Sequence, residues 1–347
     1  MEFDWIYLLA AVGGGAFGAA VGAIPSFVLA GIAAVGSFGY SVLAGAEPDT
    51  TPASLSVLAP FGPWLSPNIA FAGGVAAAAY AARRGVHGSG NDAVLPLAGL
   101  NRPDVLAVGG LFGAYGWVLQ WLLTEFSPTF GDNPVLTPIV TAIVLSNVTA
   151  RLVFGRSGLF GRPEAGVSRW APTEARHWVP WQERPLQVLT VGIALALPAA
   201  YLVDAVPAFG FDLPLAISAT WLLFLCLGFK VPVAHHVVLG ATIGVLVLGD
   251  FWWGLTLGIV GALVGEVAAC LVQYHGDTLI DPPSCALLVV WLAAVFLAPA
   301  VDDLPSGAGA GLGTLLVALA LGLLLLLKRG TTGLPAADAP TDERVAA

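Results

Sequence analysis

Residues 186–203, 231–249, 282–301 and 308–327 contain no Asp, Glu, Lys or Arg. Each is close to the length an α-helix needs to cross the hydrocarbon core of a bilayer, about 20 residues. Apolar runs bounded by Pro, Gly or charge number eleven along the whole chain: 5–23, 26–45, 65–84, 103–123, 135–154, 185–203, 212–229, 232–249, 251–273, 284–300 and 308–327. None alternates with a period of two, which favours helices over the strands of an outer-membrane barrel. Helices satisfy their backbone groups within one segment. Charged residues make up 10% of the chain, against about 25% in soluble domains, which excludes a water-soluble globule.

Basic residues test this division independently, since cytoplasmic loops of membrane proteins collect Lys and Arg. With the N-terminus outside and the runs alternating, the inner side receives Arg83, Arg84, Arg102, Arg151, Arg156, Arg162, Arg169, Arg176, Arg184, Lys230, Lys328, Arg329 and Arg344, which is all 13 basic residues. The outer segments carry only acids: Glu2, Asp4, Glu47, Asp49, Glu125, Asp132, Asp204, Asp212, Asp250, Asp302 and Asp303. The expectation is an all-α polytopic membrane protein of eleven transmembrane helices, N-out and C-in, in the inner or plasma membrane. Glu2 and Asp4 replace the positive start of a secretory signal, so the first run reads as a retained helix.

Organisation follows from the same map. Residues 1–154 form an N-terminal membrane half and 204–328 a C-terminal one. Between them, 155–203 comprise a cytoplasmic linker and a connecting sixth helix. The linker carries Trp170, Trp178 and Trp181 among arginines, the composition of a headgroup-level segment. The tail 329–347 is small, polar and expected to be disordered.

The net charge of −9 argues against nucleic acid, which needs a basic footprint. Acid-rich, Lys-poor loops suit a salt-loving prokaryote, where a negative surface stays hydrated. Cys226, Cys270 and Cys285 lie in or beside apolar runs at no zinc-binding spacing and read as small packing residues.

Sliding the chain on itself by 188 residues aligns 64–88 with 252–276 without a gap. Trp64 then meets Trp252, Gly73 meets Gly261, and His87-Gly88 meets His275-Gly276. Both aligned runs travel from outside to inside in the topology above. The expectation is a parallel 5 + 1 + 5 repeat in which helices 1–5 correspond to 7–11, a plan found among secondary transporters. Similarity among Gly- and Ala-rich helices would produce the same alignment by chance.

Glu266 stands inside the ninth run. A carboxylate within a transmembrane segment costs about 2.5–3.5 kcal/mol on insertion scales, and by default marks a functional site. Its candidate role is proton carrier or cation ligand. The bland alternative is a protonated Glu bonded to Asn147 or Thr149 on the fifth helix. His235 and His236 open the eighth run; neighbours on a helix point about 100° apart, so one at most faces a pathway.

Two polar inner loops follow the aligned runs: His87-Gly-Ser-Gly-Asn91-Asp92 and His275-Gly-Asp277-Thr-Leu-Ile-Asp281-Pro-Pro. Facing each other, they would shape a cytoplasmic gate or site. The apolar stretch 93–100 is too short to span and suits a re-entrant segment. For Asp281, before Pro282-Pro283, capping of the tenth helix is the better reading. Asp277 and Asp281 also form a D-x-x-x-D, an acidic spacing that can hold magnesium and a diphosphate in a membrane lipid or prenyl transferase. One sparse motif without a basic cluster makes an enzyme the weaker reading. Gly14, Gly18 and Gly22, with Gly31, Gly36 and Gly39, give small-residue faces for close helix packing, which permit a homo-oligomer without requiring one.

These features together lead to the expectation of a permease: an ion-coupled secondary transporter of a small solute with H⁺ or Na⁺, without a cofactor, its partners being the bilayer, the solute and the ion. The alternatives are a divalent-cation transporter, a passive channel, or a magnesium-dependent lipid enzyme.

Overall fold

In a computed structural model, the described residues 3–43, 60–173, 176–177, 179–301, 304 and 308–329 form an all-helical chain. Eleven helices are found among them: α1 (Trp5–Val21), α2 (Ala23–Leu43), α3 (Ala70–Arg83), α4 (Pro103–Phe126), α5 (Pro138–Phe154), α6 (Pro185–Ala205), α7 (Asp212–Cys226, broken at Trp221), α8 (His235–Leu248), α9 (Phe251–Ala268), α10 (Pro282–Val301) and α11 (Ala308–Arg329). A π turn over Ala269–Gln273 extends α9. The strands β1 (Thr129–Phe130) and β2 (Asn133–Pro134) form a small hairpin between α4 and α5. Expectations placed on Glu2, Glu47, Asp49, Trp178, Asp302, Asp303, Arg344 and the tail 330–347 lie outside the described residues.

Local chemistry accounts for many of the boundaries. Asp4 accepts a hydrogen bond from the Ile6 amide at 2.7 Å, and Asp250 one from the Trp253 amide at 2.8 Å, so each fills an orphan position at a helix start. Pro103, Pro138, Pro185 and Pro282 occupy first-turn positions, where a missing N–H costs nothing. Gly22 ends α1 at φ +100°, a conformation that favours glycine. A Cβ there would also lie 2.5 Å from the Val94 carbonyl.

Six helices, α2, α4, α6, α9, α10 and α11, are long and apolar enough to cross a membrane, which fits a multi-pass membrane protein. α3 and α8 are short, 14 residues each. Both follow non-helical segments whose polar groups meet side chains. Asn68, before α3, donates to the Gly116 carbonyl and to Gln120, each at 2.9 Å. Before α8, Gln182 pairs with both backbone groups of Val233 at 2.9 and 3.1 Å, while Trp181 and Trp221 donate to the carbonyls of Val231 and Pro232. Irregular backbone within an apolar bundle persists only when satisfied in this way.

Packing divides the bundle in two. α1 lies along α3 and α4, and α3 along α4 and α5; α6 lies along α8 and α9, and α8 along α9 and α10. α2 crosses to α7, α5 touches α10, and α11 packs on α9. Backbones come very close where glycines meet: a Cβ at Gly15 would run into Gly109 and Gly113. Gly14, Gly18 and Gly31 are similarly tight against Trp64, Ala70 and Ala216, whereas nothing lies within 4 Å of a Cβ at Gly36 or Gly39.

Two expectations are corrected here. A parallel correspondence of helices 1–5 with 7–11 requires α7 to lie along α10 as α1 lies along α4. Instead α7 packs on α2 and α8, and α6, expected to be a mere connector, is an integral member of the second group. The Trp and His matches of the 188-residue shift therefore do not carry over into matching surroundings. Stretch 93–100 does not re-enter the bundle between helices. It lies on the α1–α2 turn, with the Ile24 amide donating to Ala93 and the Leu97 amide donating to Ala19.

The loops gather at two ends. At one end Gly90 bridges Thr278, Arg162 bonds His275, and Lys328 reaches the Glu183 carbonyl. At the other, Trp291 donates to Pro134 at 2.8 Å, and Phe130 rests on Phe296. All described Lys and Arg residues belong to loops or helix termini of the first end.

Candidate functional site

Glu266 is 8% exposed on the last turn of α9. Its nearest charge is not on the fifth helix. Lys328, in the last turn of α11, donates to Glu266 Oε1 at 2.8 Å and to the Glu183 carbonyl at 2.8 Å. The Tyr274 hydroxyl donates to Oε2 at 3.1 Å, and the Cys270 thiol lies 3.8 Å from Oε1. Neither Asn147 nor Thr149 takes part: Thr149 bonds Tyr115, and both amide atoms of Asn147 are buried without a partner among the described residues. Glu266 therefore sits towards the basic-loop end as half of an ion pair with Lys328, and not bonded to the fifth helix. The cause is that α11 ends level with it.

Around this pair the chain assembles further ionisable groups. Glu183, 6% exposed, lies against His177, whose ring stacks on Tyr274 at 5.2 Å. Its Oε1 has no partner among the described residues. His236 packs its ring on Gly265, one residue before Glu266, and lines the same small cavity as Glu183 and Glu266. The next residue back points elsewhere: His235 sets its ring against Phe27 at 5.2 Å. The two histidines serve different cavities, as their angular separation on the helix requires.

His235 faces a cavity of about 70 Å³ between the two helix groups. Its walls are Ile, Leu, Val, Phe and Pro side chains from α2, α3, α5, α7, α8, α10 and the segments leading into α3, α8 and α10, and its polar groups are His235, Asp281 and Ser284. Asp281 caps α10 through Oδ2, which accepts from the Ser284 amide at 3.0 Å and from its hydroxyl at 2.5 Å. His235 Nδ1 is buried without a partner among the described residues.

The two polar loops meet. Asn91 donates to the Gly276 carbonyl at 2.9 Å and accepts from Gln273 at 3.1 Å, beside the Gly90–Thr278 bridge. Asp92 turns inward to accept from the amides of Val94 and Leu95, and His87 lies 3.7 Å from it. Asp277 turns the other way, accepting from the Arg156 amide at 2.5 Å and the Ser157 hydroxyl at 2.6 Å. Burial works to raise the Asp277 carboxyl, but these hydrogen bonds hold it below its ordinary value. His275 bonds the Arg169 carbonyl at 3.2 Å, and burial lowers its imidazole below the usual range. Asp277 and Asp281 are thus engaged with different partners and do not form a common diphosphate clamp. No group of three or more His, Cys, Asp or Glu among the described residues could hold a metal ion.

Sequence reasoning missed three residues that organise this region. Lys328 counts there only as a basic terminus, and Gln182 as linker. Arg151 is 0% exposed, and its guanidinium donates to Thr278 Oγ1 at 2.6 Å, to the Thr278 carbonyl and to the Leu159 carbonyl at 3.2 Å. An arginine four residues from the end of an apolar helix is the available signal for such a tie.

The model of a family of unknown function (DUF7973) matches residues 1–177 and 165–304. No curated protein and no solved structure matches the chain.

Proposed function

The chain belongs to the DUF7973 family, and on that premise we propose that it is an integral membrane permease of the inner or plasma membrane. It is an ion-coupled secondary transporter of a small solute, all eleven helices crossing the bilayer with the N-terminus outside and the C-terminus inside. The observation that carries this reading is the cavity between two helix groups. A solute bound there is walled by both groups, so a shift of one against the other changes which end it can leave from.

Gathering of the described basic residues at one end supports the orientation. Glu266 is the coupling group: binding of H⁺ or Na⁺ at its carboxylate competes with Lys328 and loosens α11 from α9. His235 is the polar group of α8 that faces the cavity, while His236 stands beside Glu266 in the smaller one and Asn147 is a buried amide of α5. The separate engagement of Asp277 and Asp281 favours transport over diphosphate chemistry.

Proteoliposomes loaded with a pH-sensitive dye test the proposal against a panel of small amines, carboxylates and amino acids. The expected result is a solute-dependent pH change in wild type that is lost in Glu266→Gln. An identical pH change in both proteins overturns the coupling role, and passive flux insensitive to any ion gradient makes the protein a channel.

A further inference from the structure

Number the helices of the first group from one to five, and those of the second from six to ten. α1 lies along α3 and α4, α3 along α4 and α5, α4 along α5, and α2 on α3. Adding five to each number gives α6 along α8 and α9, α8 along α9 and α10, α9 along α10, and α7 on α8, and every one of these contacts is present. Contacts between the groups join counterparts: α2 with α7 and α5 with α10. That is what a twofold axis does, since elements near it meet their own copies. One connection differs: α1 and α2 are joined by a tight turn, α6 and α7 through a 3-10 turn at Pro207–Phe209.

Three independent features agree with this pairing. The short helices α3 and α8 are counterparts of equal length, each beginning three residues after a proline, Pro67 and Pro232. α5 and α10 are counterparts that both open on proline, Pro138 and Pro282. The family match divides between α5 and α6 as the two units do, 1–177 holding α1–α5 and 165–304 holding α6–α10 up to Val301, and neither stretch reaches α11. A unit of five helices reverses direction at each repetition, so α1 starts at the acidic end and α6 at the basic end.

The cavity lies where the units meet. Phe27 of α2 faces it with Leu215 of α7, Phe71 of α3 with His235 of α8, and Ile143 of α5 with Leu287 of α10. On the side of the basic loops is a vestibule of about 400 Å³. Ile24, Val233 and Leu279 line both spaces and are 7%, 2% and 2% exposed, so one layer of apolar side chains separates them.

We infer that α1–α5 and α6–α10 are two copies of one unit set in opposite directions, and that the cavity between them is a binding site for a small aliphatic amine, closed towards the vestibule by Ile24, Val233 and Leu279. The ligand class follows from the wall. Asp281 is its one carboxylate, and its Oδ2 is taken up by Ser284. Oδ1 meets no hydrogen-bond donor among the described residues, and an ammonium head supplies both the charge and the N–H groups. His235 offers a further acceptor in its neutral form, and a carboxylate solute would face Asp281 as a like charge. The apolar walls take the aliphatic part. An apolar cavity of about 150 Å³ accommodates benzene, and this smaller one suits about three or four heavy atoms.

The amine's role as transported solute rests on the permease reading, but binding does not, so the test reads binding. Thermal unfolding of the purified full-length protein in detergent is followed with isopropylamine, isobutyrate and isopropanol. Asp281→Asn serves as the comparison, because Asn still caps α10. The expected result is a rise in Tm with isopropylamine alone, absent in Asp281→Asn. An equal rise in that variant, or a rise with isobutyrate instead, overturns the ligand class.

Access is read with Ser284→Cys in a background of Cys226→Ala, Cys270→Ala and Cys285→Ala, labelled by a cationic thiosulfonate in vesicles of known orientation. Adding Leu279→Ala is expected to speed labelling several-fold from the basic-loop side only. An unchanged rate, or acceleration from the other side, overturns the gate. Binding without any flux in proteoliposomes would remove the permease reading and leave the site standing.

Discussion

Lys328 and Glu266 are 62 residues apart in sequence and 2.8 Å apart in space, joining the last turn of α11 to the last turn of α9. The pair is mostly buried, with side-chain exposures of 21% and 8%. Removing one member of a buried pair costs about 3–5 kcal/mol because the other stays charged and unpaired, whereas replacing both by apolar groups of similar volume is often neutral. Lys328→Met is therefore expected to lower Tm strongly, and Lys328→Met combined with Glu266→Leu to recover most of the loss. Thermal unfolding of the four proteins of the cycle reads the coupling. Additive losses would show that the two side chains do not depend on each other.

Arg151 ties the end of α5 to the loop before α10 through a planar fork with three separate acceptors. Lysine keeps the charge and loses the fork. Arg151→Lys is expected to destabilise by about 2–4 kcal/mol, given that buried hydrogen bonds to charged groups contribute about 1.5–3 kcal/mol each. Limited proteolysis between Gly155 and Arg162 should accelerate in the variant. An unchanged cleavage rate would mean that the loop is held by its other contacts.

Asp277 has a depressed value in the folded state, so the unfolded chain takes up its proton first as pH falls. Its stabilising contribution is complete above the unfolded value, about 3.9, and disappears as pH drops through the folded value. Wild type is expected to exceed Asp277→Asn in Tm at neutral pH, with the gap closing below about pH 4. A gap constant down to pH 2.5 would assign the effect to shape and not to charge.

Gly15 meets the backbones of Gly109 and Gly113 with no space for a side chain. Overpacking of a tight core costs about 1–3 kcal/mol, and here the obstacle is backbone. Gly15→Val should therefore destabilise severely, while Gly36→Val, which meets nothing within 4 Å, should be close to neutral. Similar Tm values for the two variants would contradict the α1–α4 packing.

Helices and the grouping of loops were legible in the sequence for a simple physical reason. Apolar runs and basic segments report on a residue's solvent, and solvent preference is local. Trp5–Val21 against the expected 5–23, and His235–Leu248 against 232–249, show how closely such runs follow helix ends. Neighbour relations were not legible. Whether α1 corresponds to α6 or to α7 depends on which Gly and Ala faces approach, and matches among small residues recur at many shifts of a chain with 43 glycines. Glu266 was found because an acid is rare in such a run. Its partner was missed because a lysine at a helix terminus has the same appearance whether it faces headgroups or another helix. The Asn147 amide, singled out as a possible partner of that acid, lies buried away from it.

Thr278 receives the Arg151 guanidinium and, at the same position, bridges Gly90. One residue thus staples together the loop after α3, the end of α5 and the strap between α9 and α10. Three segments distant in sequence therefore share one anchoring residue, and it lies next to Leu279, which lines both the cavity and the vestibule.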